Sequence, residues 1–166
     1  MSRKISVDCP ATLAFVLAFD VGLYDYYRGS VLTAYHSGPV SAGARHFTLS
    51  DSTLLREGGL RFQITLDGGT ASVPAHVMKA EIVAPDGKIV AAWDAAALSA
   101  LPAAAIVNDF AYNTFRAGPF GLEARMGAKA AVTLPRPAGG LVVAPGDVLR
   151  ITDVDGRTFA CPIATG

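Results

Sequence analysis

The sequence predicts a mainly β domain: an antiparallel β-sandwich or jelly-roll-like barrel with one short helical connection. Three observations lead there. Bulky apolar residues recur at every second position in several stretches, which is the period of a strand. Gly-Gly and Asp-Gly pairs fall between those stretches, where hairpins need them. Only three of the 14 acidic residues are Glu, a poor supply for helices. At 166 residues the chain suits one domain, 1–166, and a chain of this size buries roughly 70% of its unfolded surface without a metal or a disulfide.

The first strand signals are Lys4–Val7 and the stretch after it. In "CPATLAFVLAFD", Leu13, Phe15, Leu17 and Phe19 alternate with Ala14, Val16, Ala18 and Asp20, and Val21 and Leu23 continue the series. One face is bulky and belongs in a core; the other is small and admits a close neighbour. A secretory signal is not expected, because Asp8 and Pro10 interrupt the run and no convincing cleavage site follows. Nor is a membrane helix, which needs about 20 apolar residues.

Further strands are expected at Val31–Tyr35, Arg45–Leu49 and Ala130–Leu134, with three hairpins between and after them. Phe62, Ile64 and Leu66 lead into Gly68-Gly69, and a two-residue turn there sets Leu66 opposite Ala71 and Ile64 opposite Val73. Asp86-Gly87 sets Ala80, Ile82 and Ala84 on one face with Ile89, Ala91 and Trp93. Val83 and Val90 make the opposite face partly apolar too, so this pair is expected inside a sheet covered on both sides. In "DVLRITDVDGRTFACPI", a three-residue loop at Asp155–Arg157 aligns Ile151 with Cys161 and Leu149 with Ile163. Between the second and third hairpins the chain turns Ala-rich. Asp94 is a natural N-cap and Pro102 a break, so a short helix is expected, with a second near Ala103–Phe110. "NDFAYNTF" reads equally as a strand.

The charges exclude some functions. Fourteen basic and fourteen acidic residues cancel, which gives no electrostatic case for nucleic acid or anionic membranes. Charged residues make up only 17% of the chain, below the usual ~25%, so much of the surface is small and neutral or is covered by a partner.

Chemical motifs are sparse. His36, His46 and His76 have no ligand spacing, so no metal is expected; their convergence in a cupin-like barrel is the enzymatic alternative. "DVDG" at 153–156 resembles part of a calcium loop, but Ile151, Pro162 and Ile163 occupy places where oxygen ligands are needed. It is explained by a hairpin turn. Cys9 and Cys161 form no Cys-x-x-Cys; they read as buried thiols, or as a disulfide if the end strands meet. Nucleophile and phosphate-binding motifs are absent. "LYDYYRG" groups Tyr24, Tyr26, Tyr27 and Arg28, residue types that anchor interfaces and stack on sugars, and these four form the candidate interface or ligand site.

These readings add up to a non-enzymatic structural or assembly protein without a cofactor. Its partners are expected to be proteins: copies of itself in a homo-oligomer, or a larger assembly such as a bacteriophage capsid-decoration or tail structure. A carbohydrate- or small-ligand-binding module built on the tyrosine cluster is the alternative.

Overall fold

The computed structural model describes residues 45–68 and 74–164, all within the compact unit Gly38–Gly166. Ten strands follow in chain order: β1 (Arg45–Leu54), β2 (Leu60–Gly68), β3 (Ala75–Val83), β4 (Ile89–Trp93), β5 (Ile106–Asn108), β6 (Phe115–Gly118), β7 (Gly121–Ala124), β8 (Lys129–Leu134), β9 (Val148–Asp153) and β10 (Thr158–Ala164). A short helix, α1 (Ala95–Ser99), and a 3-10 turn at Ala103–Ala105 lie between β4 and β5. The strands form one sheet in the order β5-β8-β2-β1-β10-β9-β3-β7-β6, with β4 beside β3. The sheet curls until its two ends nearly meet, which makes a barrel-like β fold with one short helix.

Alternation builds the core. Leu60, Phe62, Ile64 and Leu66 of β2 are buried while the residues between them are exposed or half-buried. Across the antiparallel ladders, Phe47 of β1 faces Leu66 and Val132 of β8 faces Phe62. From the other half of the sheet come Ile82, Leu122, Leu149 and Ile151, all buried. Burying a side chain of this size is worth roughly 1.5–3 kcal/mol. Trp93 closes one side, its indole N–H donating to the carbonyl of Pro135 at 3.1 Å.

Several expectations hold. Asp94 caps α1 by accepting from the amide of Ala97 at 2.8 Å. Pro102 ends the helical segment with an extended backbone. Ile82 pairs with Ala91 and Ala80 with Trp93 as expected. Nearer the turn a register shift sets Ile89 opposite Val83, and the loop closes from Ala84 to Lys88 around Pro85, Asp86 and Gly87, in place of the expected two-residue turn.

Others need correction. The segment after Pro102 makes a single 3-10 turn and then β5, because Ile106 pairs with Val132 on the edge of β8. Ile89 and Val90 are exposed, so β4 is not covered on both sides. Both edges of β2 are taken by β1 and β8, which leaves no ladder for the hairpin expected at Gly68-Gly69; Ala71 and Val73 lie outside the described residues. The β9–β10 hairpin turns over Val154–Gly156 and pairs Cys161 with Leu149, two residues from the expected register. Parity is kept, so both apolar faces stay inside. The shift follows from the Asp153 carboxylate, which accepts from the amides of Asp155 and Arg157 at 2.9 and 2.8 Å and so fixes a three-residue loop one position earlier than expected. One pairing is not antiparallel: β1 and β10 run parallel, with Ser52 beside Ile163.

Candidate functional site

Among the described residues the two end strands of the sheet do not pair with each other: β5 pairs with β8 alone and β6 with β7 alone. The loop joining β5 to β6 holds their near ends together through one side chain. The Asn108 amide nitrogen donates to the Phe115 carbonyl at 2.9 Å, and the Phe115 amide donates to Asn108 Oδ1 at 2.7 Å. A primary amide thus imitates the backbone pair a neighbouring strand would supply. Beyond that clasp the strands part, and a groove of about 570 Å³ opens between them.

Its floor is apolar: Leu101, Ile106 and Phe115 are buried. Ser99 closes one end, donating to the Ala95 carbonyl and accepting from the Gly121 amide. On its other side Gly121 packs against β3, where a Cβ would lie 2.2 Å from the Val77 carbonyl oxygen. Arg116 stands on the β6 wall, about two-thirds exposed, with its guanidinium paired to the buried carboxylate of Glu123. Behind Arg116 is a smaller pocket of about 60 Å³, lined by Thr114, Glu123 and Arg125 among others. On the β5 side, Lys129 pairs with Asp109 at 3.1 Å. Val107, Phe110 and Tyr112 are exposed along the same segment, Tyr112 by 83%.

Two other clusters carry ionisable groups. Glu81 of β3 is buried, and Arg150 meets its Oε2 at 2.8 Å while Lys79 meets its Oε1 at 2.6 Å. Burial pushes this carboxyl up, but the hydrogen bonds and charges of Lys79 and Arg150 together overcome it and hold the group below the usual carboxylate range. Cys161 is a buried free thiol. Burial pushes it above the ordinary thiol range and the nearby Asp51 charge adds to that; the neighbouring Ser52 hydroxyl opposes both.

Of the residues singled out in the sequence, Tyr24, Tyr26, Tyr27, Arg28, His36 and Cys9 lie outside the described residues. His46 packs edge-on to Phe159, and buried His76 packs edge-on to Phe120. They sit on β1 and β3, with β10 and β9 between those strands. No group of three or more His, Cys, Asp or Glu that could hold a metal occurs among the described residues. No described helix is long and apolar enough to cross a membrane. The "DVDG" carboxylates serve the hairpin, Asp153 also meeting the Arg157 guanidinium at 3.0 Å. Sequence reasoning missed the Asn108 clasp. Its one signal was a polar residue between Val107 and the exposed aromatic pair Phe110 and Tyr112, in a stretch that read equally as helix or strand.

A family described as "TQO small subunit DoxA" matches residues 44–161, which run from the start of β1 into β10. No curated protein matches the chain. Among solved structures, one titled "Structure of Iho670 Flagellar-like Filament" aligns over 92% of this chain and 96% of that one, at 13% identity and a TM-score of 0.36. A likeness at that level carries no functional inference. The family match corrects the expectation of a protein with no part in an enzyme, since TQO is a thiosulfate:quinone oxidoreductase complex. It lends nothing to a phage virion.

Proposed function

The chain belongs to the family of the TQO small subunit DoxA, and we propose on that premise that it serves as the small subunit of a thiosulfate:quinone oxidoreductase. The observation that carries this is the reach of the family match, which takes in nearly the whole described sheet. What this part of the chain brings to such a complex is a tightly packed scaffold with one open seam. Most of its buried charges are spent internally: Glu81 on Lys79 and Arg150, Glu123 on Arg116, Asp153 on Arg157. A low overall charge also suits a surface that is covered in an assembly.

The test is co-expression with the large subunit of the same complex, followed by purification through a tag on this chain. Thiosulfate-dependent reduction of a soluble quinone is then measured with and without it. Co-purification together with loss of activity when this chain is omitted is the expected result. A large subunit that assembles and turns over at the full rate without this chain overturns the proposal.

A further inference from the structure

We infer that the small pocket on the outer face of β6 and β7 binds a small tetrahedral oxyanion, held by Arg116, Arg125 and Thr114. The inference goes beyond the subunit reading and stands on the geometry of this pocket alone.

Strand register brings the residues together. Arg116 of β6 lies opposite Glu123 of β7, and Phe115 lies opposite Ala124 with both of the latter side chains buried. Side chains alternate between the two faces of a sheet, so Arg116 and Glu123 share the outer face. One residue beyond Phe115 and Ala124, the same ladder brings Thr114 and Arg125 to that face as well. Diagonal neighbours on adjacent strands are about 7–8 Å apart, within reach of long side chains. Thr114, Arg116, Glu123 and Arg125 accordingly line one pocket of about 60 Å³.

The charges around it are not balanced. Glu123 spends one carboxylate oxygen on the Arg116 Nε. Its other oxygen is bent over Gly118, where a Cβ would lie 2.6 Å from it. Gly118 is the far end of β6 from Thr114. The carboxylate is therefore drawn to the Gly118 end, and the Thr114–Arg125 end keeps the positive charge. Arg125 forms no ion pair among the described residues. Two guanidiniums against one carboxylate leave one positive charge unmatched at the pocket.

Size and shape select the ligand. A water needs roughly 10–15 Å³ of cavity, so the pocket has room for roughly four, about the bulk of one sulfate-sized ion. A planar carboxylate offers its two oxygens to a single guanidinium fork. A tetrahedral ion offers oxygens in several directions, to guanidiniums on neighbouring strands and to a hydroxyl together. Thiosulfate, the substrate of the proposed complex, and sulfate share this chemistry.

The test titrates the isotope-labelled full chain with sodium thiosulfate and, separately, with sodium sulfate, with sodium chloride holding the ionic strength constant. Saturable shifts of the Thr114, Arg116 and Arg125 amide signals are expected. Arg125→Ala is expected to weaken binding by about tenfold or more, the loss of a charged hydrogen bond, with an unchanged melting temperature. Glu123→Gln removes the opposing charge and frees Arg116, and is expected to tighten binding. Stronger binding of thiosulfate than of sulfate makes the pocket a site for the substrate of the proposed complex; equal binding makes it a general oxyanion site. Absence of a saturable shift with either ion overturns the proposal. So do shifts that keep their full size and midpoint in Arg125→Ala, which report an adventitious ion only. The measurement needs no large subunit, so its failure leaves the subunit reading intact, and failure of the subunit reading leaves the pocket standing.

Discussion

Glu81 shows how a single residue is decided by competing terms. Its carboxylate is buried, which disfavours charge, yet Lys79 and Arg150 both reach it. The partners prevail, so the folded pKa lies below the unfolded one. A depressed carboxyl contributes stability that is present above the unfolded pKa and is lost as pH falls through the folded one. Glu81→Gln is therefore expected to cost roughly 1–3 kcal/mol near neutrality, the scale of charged hydrogen bonds. Its deficit against the unsubstituted protein should shrink as the pH drops below about 4, where an ordinary Glu protonates. Chemical denaturation of both proteins at pH 7 and pH 3 measures this; a deficit independent of pH would show that the lost packing, not the charge, matters. Cys161 follows the same logic with the opposite sign. Burial and Asp51 keep it a thiol, and the thiolate is the reactive form. Its labelling by iodoacetamide at pH 7.5, followed at that residue by peptide mass spectrometry, should be slow in the folded protein and rapid in denaturant. Fast labelling of the folded protein would contradict the burial.

Among the elements, the strands with strong local signals were legible and those defined by distant partners were not. The period-2 run of Phe62, Ile64 and Leu66 marks β2 without help, and Asp94 and Pro102 bracket α1 because capping and ring geometry act within a few residues. β6 and β7 are four residues each, with two glycines in "FRAG" and "GLEA", and carry no period long enough to read. β7 is placed by β3 through Ala75 facing Ala124, nearly fifty residues away in the chain, and β6 by β7. The parallel contact of β1 with β10 is likewise invisible locally, since it joins residue 52 to residue 163. The site suffered most, because it is an absence of pairing at the two ends of a sheet, and strand order is not a local property. Asn108 is where this can be measured. Asn108→Ala leaves the Phe115 amide and carbonyl without their partners beside a buried ring. The expected cost is about 1–3 kcal/mol, with faster hydrogen exchange at the Phe115 amide. Unchanged exchange there would mean the clasp does not hold the seam.

For the whole molecule, the question is whether one sheet with an open seam unfolds as one body. The halves β5-β8-β2-β1 and β10-β9-β3-β7-β6 meet through the short β1–β10 contact, so the ladder alone would allow them to separate. The core argues otherwise. Phe47 on β1 lies against Phe115 on β6, with ring centroids 6.4 Å apart, and against Phe159 on β10 at 5.5 Å. Side chains from both halves thus share one apolar interior, and losing either half exposes the other. Trp93 is the chain's single tryptophan. It joins β4 to the end of β8 through Pro135, so its emission reports on closure between the halves, while far-UV circular dichroism reports on all the strands. The two signals are expected to coincide through a urea transition, as two-state unfolding requires. Leu149→Ala, in β9 and fully buried, should lower the midpoint of both together by the equivalent of about 2–5 kcal/mol. If Leu149→Ala moves the Trp93 transition and leaves part of the dichroism transition in place, the two halves are separate folding units, and the open seam is then a boundary between them rather than a gap in one barrel.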